Sequence, residues 1–293
     1  MTVFDETGSN ILLAVMTDSD WKADFYTSNA LFKDIIELAQ NFNSYKNWPD
    51  LAAYNDFLNK RIPIVTSQQG KNLQFVQQGD KPESVSEQYE VRIYQDGEIQ
   101  TREKSWHDFF QVLIWCQFPL TKRSINQRHA EAILNRCSTT PVFERRTPIE
   151  NCLTLFDECG MIIVSSDPEL LKLIQTFKWQ QLFIDHRGSF NKSIDAYIFG
   201  HAMYEKALLP YIGMTANSIC LSVDEDFFTK DRPTQIQIID QLASDYFLQQ
   251  TALSPNDLQP FPLLGIPGWD KRNEQQGFYD NTEYFRRGRT RKS

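Results

Sequence analysis

The chain has 293 residues, 41% of them hydrophobic and 23% charged, with 21 Phe, 11 Tyr and 6 Trp. This composition excludes disordered and fibrous classes, and the length suits one large domain or two ordinary ones able to bury a core without disulfides. The formal net charge is −8, and an acidic body repels a phosphate backbone, which argues against a nucleic-acid groove.

In chain order, Ile11 to Met16 is apolar, but Asp5 and Glu6 precede it where an export signal would be basic. Trp21 to Arg61 predicts two helices, with Ser28 capping ALFKDIIELAQNF and Pro49 starting DLAAYNDFLNKR. Residues 62–86 are polar and carry one strand candidate, Asn72 to Gln77.

Tyr89 to Arg102 alternates apolar and polar residues around Gln95-Asp96-Gly97 and predicts a β-hairpin. A three-residue loop with Gly97 left-handed sets Ile93 opposite Ile99, Val91 opposite Thr101 and Glu90 opposite Arg102. Ser105 then caps a helix, with Asp108 three residues on, and Trp106, Phe109, Phe110, Leu113 and Ile114 form one apolar stripe. Pro119 ends that helix, which is too short to cross a bilayer. In the helix that follows, His129 lies four residues from both Ile125 and Ile133, the position of a hydrogen-bonded core histidine.

Thr147-Pro148-Ile149-Glu150 is a capping-box pattern. A second hairpin is expected from Leu153–Phe156 and Met161–Val164, joined by a turn over Asp157-Glu158-Cys159-Gly160. Ser166-Asp167-Pro168-Glu169 starts a helix, Asp195 to Phe199 is a strand passing at Gly200 into a helix near His201, Asn217 to Val223 is a strand and Pro233 to Thr251 a helix. Ala252 to Phe285 has little periodicity, and Arg286, Arg287, Arg289, Arg291 and Lys292 mark a basic, disordered tail over 286–293. The expected class is α+β, helices packed around short antiparallel hairpins in one domain over 1–285. Residues 1–88 form its N-terminal helical part and residues 89–285 its core. Five cysteines with no CxxC pair suit a reducing cytoplasm.

No phosphate loop, dinucleotide fingerprint, HExxH or GxSxG is present. Candidate catalytic residues are His107, Asp108 and Glu158. Candidate metal ligands are His107 with His201 and Glu205, the last two at i and i+4 on one helix face. For these the plainer readings are a cap for Asp108, a turn for Glu158 and an ordinary helix pair for His201 and Glu205.

Several segments together resemble one bacterial family: YEVRIYQDGEIQTREKSWHDFF at Tyr89 to Phe110, LTLFDECG at Leu153 to Gly160, SDPELL at Ser166 to Leu171, FGHAMYEK at Phe199 to Lys206, LGIPGW at Leu264 to Trp269 and FYDNTEYFR at Phe278 to Arg286. The family is catalogued as Domain of Unknown Function 3025. The resemblance implies no established activity, but its motifs contain His107, Asp108, Glu158, His201 and Glu205. Two functions follow as expectations: a non-catalytic binding or scaffold protein, or a metal-assisted hydrolase, with a nuclease as its variant. A divalent metal is the cofactor that the second would need, with partners unspecified. On it, His107 and His201 should lie within about 10 Å of each other.

Overall fold

The computed structural model describes residues 20–61, 67, 69–139 and 145–289, together with a two-residue antiparallel pairing of β1 (Val3–Phe4) with β2 (Asn10–Ile11). Residues 12–16 of the apolar run and the last basic residues, Arg291 and Lys292, lie outside the described residues.

The N-terminal segment is a chain of short turns with one brief helix, α1 (Ile36–Ala39), followed by α2 (Leu51–Arg61). The turn at Ala30–Phe32 is capped by Asn29, whose side chain accepts from Leu31 N, one residue beyond the expected Ser28. Strand β3 (Gln74–Gln77) follows.

The expected hairpin at Tyr89–Arg102 does not form. Tyr89–Asp96 is helix α3, and only Glu98–Thr101 is a strand, β4, which pairs in parallel with β3. Val91 therefore has no cross-strand partner in Thr101; Thr101 faces Gln77. The helix is packed by α5 on one side and β4 on the other, so it buries Val91 and Ile93 on two faces. Burial on two faces over eight residues imitates a period of two. Gly97 is left-handed as expected, at φ 77°, but as the residue that ends a helix.

Helix α4 (Trp106–Gln117) starts at Ser105, whose hydroxyl accepts from Asp108 N, and α5 (Pro119–Thr139) follows directly. The predicted stripe of α4 is buried, and so are Val112, Trp115 and Cys116 on its other side. The N-terminal segment covers that helix: Trp21 stacks on Trp106, and Phe25 meets Phe109 and Phe110 edge-on. One continuous apolar core thus runs from Phe25 through α4 to Phe285.

The second expected hairpin is also replaced. Pro148–Cys159 is a single helix, α6, with the capping box at Thr147 and Glu150 in place. Cys152, Leu153 and Phe156 line its buried face while Leu155 is exposed. Asp157 to Cys159 form its last turn, whose αR backbone is the same local geometry as the type I turn read from the sequence. It passes straight into β5 (Gly160–Ser165), buried along its whole length. Then come α7 (Pro168–Gln175), capped by Asp167, β6 (Ile194–Ile198), α8 (His201–Ala207), β7 (Thr215–Ser222), α9 (Arg232–Gln249) and β8 (Gln259–Pro262).

The main sheet has the order β6-β5-β7-β8, with β5 antiparallel to β6, parallel to β7, and β7 antiparallel to β8. The class is α+β, but the strands of the main sheet come together across the chain in mixed orientation, not as local hairpins. No described helix is long and apolar enough to cross a membrane. At the C-terminal end, the carbonyl of Arg286 accepts from Trp179 Nε1, and the Arg289 guanidinium donates to the carbonyls of Asn256 and Leu258.

Candidate metal centre

Three helix ends meet beside the edge of the main sheet. His107 is in the first turn of α4, His201 is the first residue of α8, and Asp157 and Glu158 close α6. The approach of α8 to α6 depends on two glycines. Gly160 accepts from the backbone N–H of both Phe199 and Gly200. A Cβ on Gly200 would lie 2.4 Å from the Glu158 carbonyl oxygen and 2.4 Å from Gly160 N, closer than real side chains come to backbone. Only glycine at this position brings His201 down onto the carboxylates of α6.

The imidazoles face each other through Nε2, 2.9 Å apart, with their rings edge to face. Glu158 Oε2 lies 3.9 Å from His107 Nε2 and 3.8 Å from His201 Nε2. These three sides define a triangle whose equidistant point is about 2.1 Å from each atom, the bond length of nitrogen and carboxylate ligands to a divalent metal. Behind the triangle, His107 Nδ1 is 2.9 Å from Glu205 Oε2 and His201 Nδ1 is 3.7 Å from Asp157 Oδ2. Asp157 in turn is paired with the buried ammonium of Lys122.

The two histidines differ in environment. His201 is buried, and burial pushes its pKa down to about 3, so it is neutral at pH 7. Burial also opposes protonation of His107, but the bond with Glu205 and the charge of Glu158 outweigh it and raise its pKa above the ordinary value. Burial would raise Asp157, yet the Lys122 ammonium outweighs it and holds this carboxyl below the usual range, while burial raises that of Glu158. His107, Glu158 and Glu205 keep one side of the cluster open to solvent.

Of the residues singled out in the sequence, His107, Glu158 and His201 converge, and Glu205 stands behind His107, outside the triangle. Asp108 points away: its carboxylate accepts from the backbone N–H and guanidinium of Arg102, the latter at 3.1 and 2.8 Å. His129 is buried with Nδ1 3.5 Å from Glu90 Oε1, apart from the triad. Asp157 and Lys122 had no signal of their own, since Asp157 read as a turn residue. The i,i+1 pairing of Asp157 with a ligand at the end of a helix is visible only once α6 is known to be helical.

A cleft of about 500 Å³ lies elsewhere, between Asp34, Arg61, Gln117, Arg232 and Asp240. Its charges are satisfied internally: Arg61 by Glu37, Arg232 by Asp34, and Asp240 by the first backbone N–H groups of α5. Those pairings engage the charged groups of the cleft with one another, whereas His107, Glu158 and His201 bring three ligating atoms within 4.8 Å of one another, so the histidine cluster is the stronger candidate.

A family model described as protein of unknown function (DUF3025) matches residues 73–289, which is 217 of the 293 residues. The chain belongs to the DUF3025 family. No curated protein and no solved structure matches it. The span matched to DUF3025 contains the whole cluster, His107, Lys122, Asp157, Glu158, His201 and Glu205, whereas the segment that covers α4 precedes it.

Proposed function

We propose that this DUF3025 protein is a metal-assisted hydrolase in which His107, His201 and Glu158 hold one divalent ion. A single observation carries the reading: three lone-pair donors from three separate helices converge on a point about 2.1 Å from each. Two imidazoles and a carboxylate suit zinc or a neighbouring first-row ion. Three protein ligands with a solvent-open side leave a coordination position for substrate or water, as catalytic sites do and closed structural sites do not. A divalent ion held there supplies an activated water and a Lewis acid for a scissile carbonyl or phosphoryl bond. Water is then the only co-reactant: its OH joins the acyl or phosphoryl group and its proton leaves with the other fragment. The carboxylates of Glu158 and Glu205 at the rim, and the acidic body, disfavour the nuclease variant. A purely binding or scaffolding protein, the other expectation, would use the same contact as a hydrogen bond between the two imidazoles, and bound metal distinguishes the two.

The test is metal content of full-length protein purified without a polyhistidine tag, followed by a panel of simple esters and phosphoesters. We expect about one ion per chain, consistent with a single triad, and a chelator-sensitive hydrolysis lost in His107→Ala and His201→Ala. Absence of bound metal, with no shift in melting temperature on adding zinc, cobalt or manganese, would return the protein to the scaffold reading.

A further inference from the structure

We infer that Asp157, anchored by the buried Lys122, is the positioning residue that sets the tautomer and ring orientation of His201, and through them the affinity of the centre for its ion. The inference rests on the metal reading above.

A histidine can donate through Nε2 only if that nitrogen carries no proton, so a neutral ligand of this kind must keep its proton on Nδ1. His107 meets this requirement with Glu205 Oε2 at 2.9 Å from its Nδ1. The Nδ1 of His201 is buried and makes no hydrogen bond of ordinary length; the acceptor placed opposite it is Asp157 Oδ2, at 3.7 Å. A movement of roughly 0.8 Å would bring the two to hydrogen-bond distance. Each imidazole is then backed by a carboxylate, the arrangement that orients metal-binding histidines and strengthens them as donors.

Lys122 fixes the Asp157 carboxylate where it is. Its side chain is 4% exposed, it is paired with Asp157 Oδ1, and its ammonium lies over the Trp115 ring at 5.0 Å. An ammonium removed from water is costly unless its partner is fixed. By occupying one carboxylate oxygen it leaves the other facing His201. Successive residues of one helix end thus have different tasks: Glu158 reaches into the triangle and Asp157 steadies a ligand from behind.

The experiment uses the full chain, cobalt(II) as the probe, zinc competition for affinity, and nitrogen–proton correlation spectra of the histidine side chains. In metal-free wild type, His201 should carry its proton on Nδ1 and accept at Nε2 from the Nε2–H of His107 across the 2.9 Å contact. Asp157→Asn should weaken cobalt and zinc binding by about 10- to 100-fold, alter the visible cobalt spectrum and shift the His201 proton towards Nε2. Lys122→Met should move the same readouts in the same direction. A wild-type His201 protonated on Nε2, or an Asp157→Asn protein with wild-type cobalt affinity and spectrum, would overturn the inference. Should Asp157→Asn fail to fold, the wild-type tautomer and Lys122→Met decide. If wild type binds no ion at all, the hydrolase reading falls, and the His201 tautomer still decides whether Asp157 orients that ring.

Discussion

Replacing Gly200 by alanine tests how the centre is assembled. The added Cβ would meet the Glu158 carbonyl oxygen at 2.4 Å, Gly160 N at 2.4 Å and Cys159 Cα at 2.6 Å. All three are backbone atoms, so relief requires α8 to lift from the end of α6 by about 1 Å, the shortfall from ordinary contact. Lengthening the His201–Glu158 side of the triangle from 3.8 Å by that amount moves the equidistant point from about 2.1 to about 2.4 Å from each donor, outside the roughly 0.2 Å tolerance of a metal site. The strain of forcing a methyl group into packed backbone is about 1–3 kcal/mol. For a chain of this size it should lower the melting temperature by several degrees. The assay pairs thermal unfolding with zinc affinity from chelator competition, and the expected result is a modest loss of stability with at least a tenfold loss of affinity. Wild-type affinity in Gly200→Ala would refute the claim that the two glycines set the ligand geometry.

Gly97→Val should destabilise by about 2 kcal/mol or more, because φ is 77° and a Cβ there would sit 2.4 Å from the Asn72 carbonyl oxygen; a chemical denaturation midpoint equal to wild type would contradict this. Glu150 is buried against Arg136, whose Nε and Nη2 reach it at 3.0 and 2.9 Å, so Glu150→Ala should cost about 3–5 kcal/mol. Burial alone would raise the Glu150 pKa, but Arg136 and Thr147 outweigh it and lower the value. Its contribution is therefore present above the ordinary carboxylate pKa and lost as pH falls through the lower folded-state value. Stability curves of wild type and Glu150→Gln should converge on acidification, and parallel curves would show that this carboxylate is not the titrating group. Deleting residues 286–293 removes the acceptor for Trp179 and the two bonds from Arg289, at about 1 kcal/mol each. A fall in melting temperature of several degrees is expected, and a shift below one degree would show that these contacts contribute nothing.

Local signals in the sequence were legible wherever a side chain acts on its own backbone. Ser105 and Thr147 cap the helices they were expected to cap, the helix expected to start at Ser166-Asp167-Pro168-Glu169 is capped by Asp167, and the Asp195–Phe199 strand passes through Gly200 into the helix at His201. Both hairpin expectations failed for a common reason: the pairing partners of a strand are distant in sequence. The alternation at Tyr89–Ile93 came from a helix packed on two faces, and the Asp157–Gly160 turn from the last turn of a longer helix. That second error hid Asp157, since only a helix places it beside Glu158 yet turned towards another ligand face. The meeting of His107 with His201 follows from the β6–α8 crossing over Gly160, a tertiary contact with no local trace.

X-ray absorption at the zinc edge of the zinc-loaded full chain tests the central claim most directly, because it reads the ligands of the ion without requiring a substrate. The expected spectrum has two imidazoles and one carboxylate oxygen at about 2.0–2.2 Å, plus one further light ligand, and loses imidazole scattering in His107→Ala and His201→Ala. Zinc surrounded only by oxygen, or an imidazole signal that survives both substitutions, would contradict a centre built on His107, His201 and Glu158.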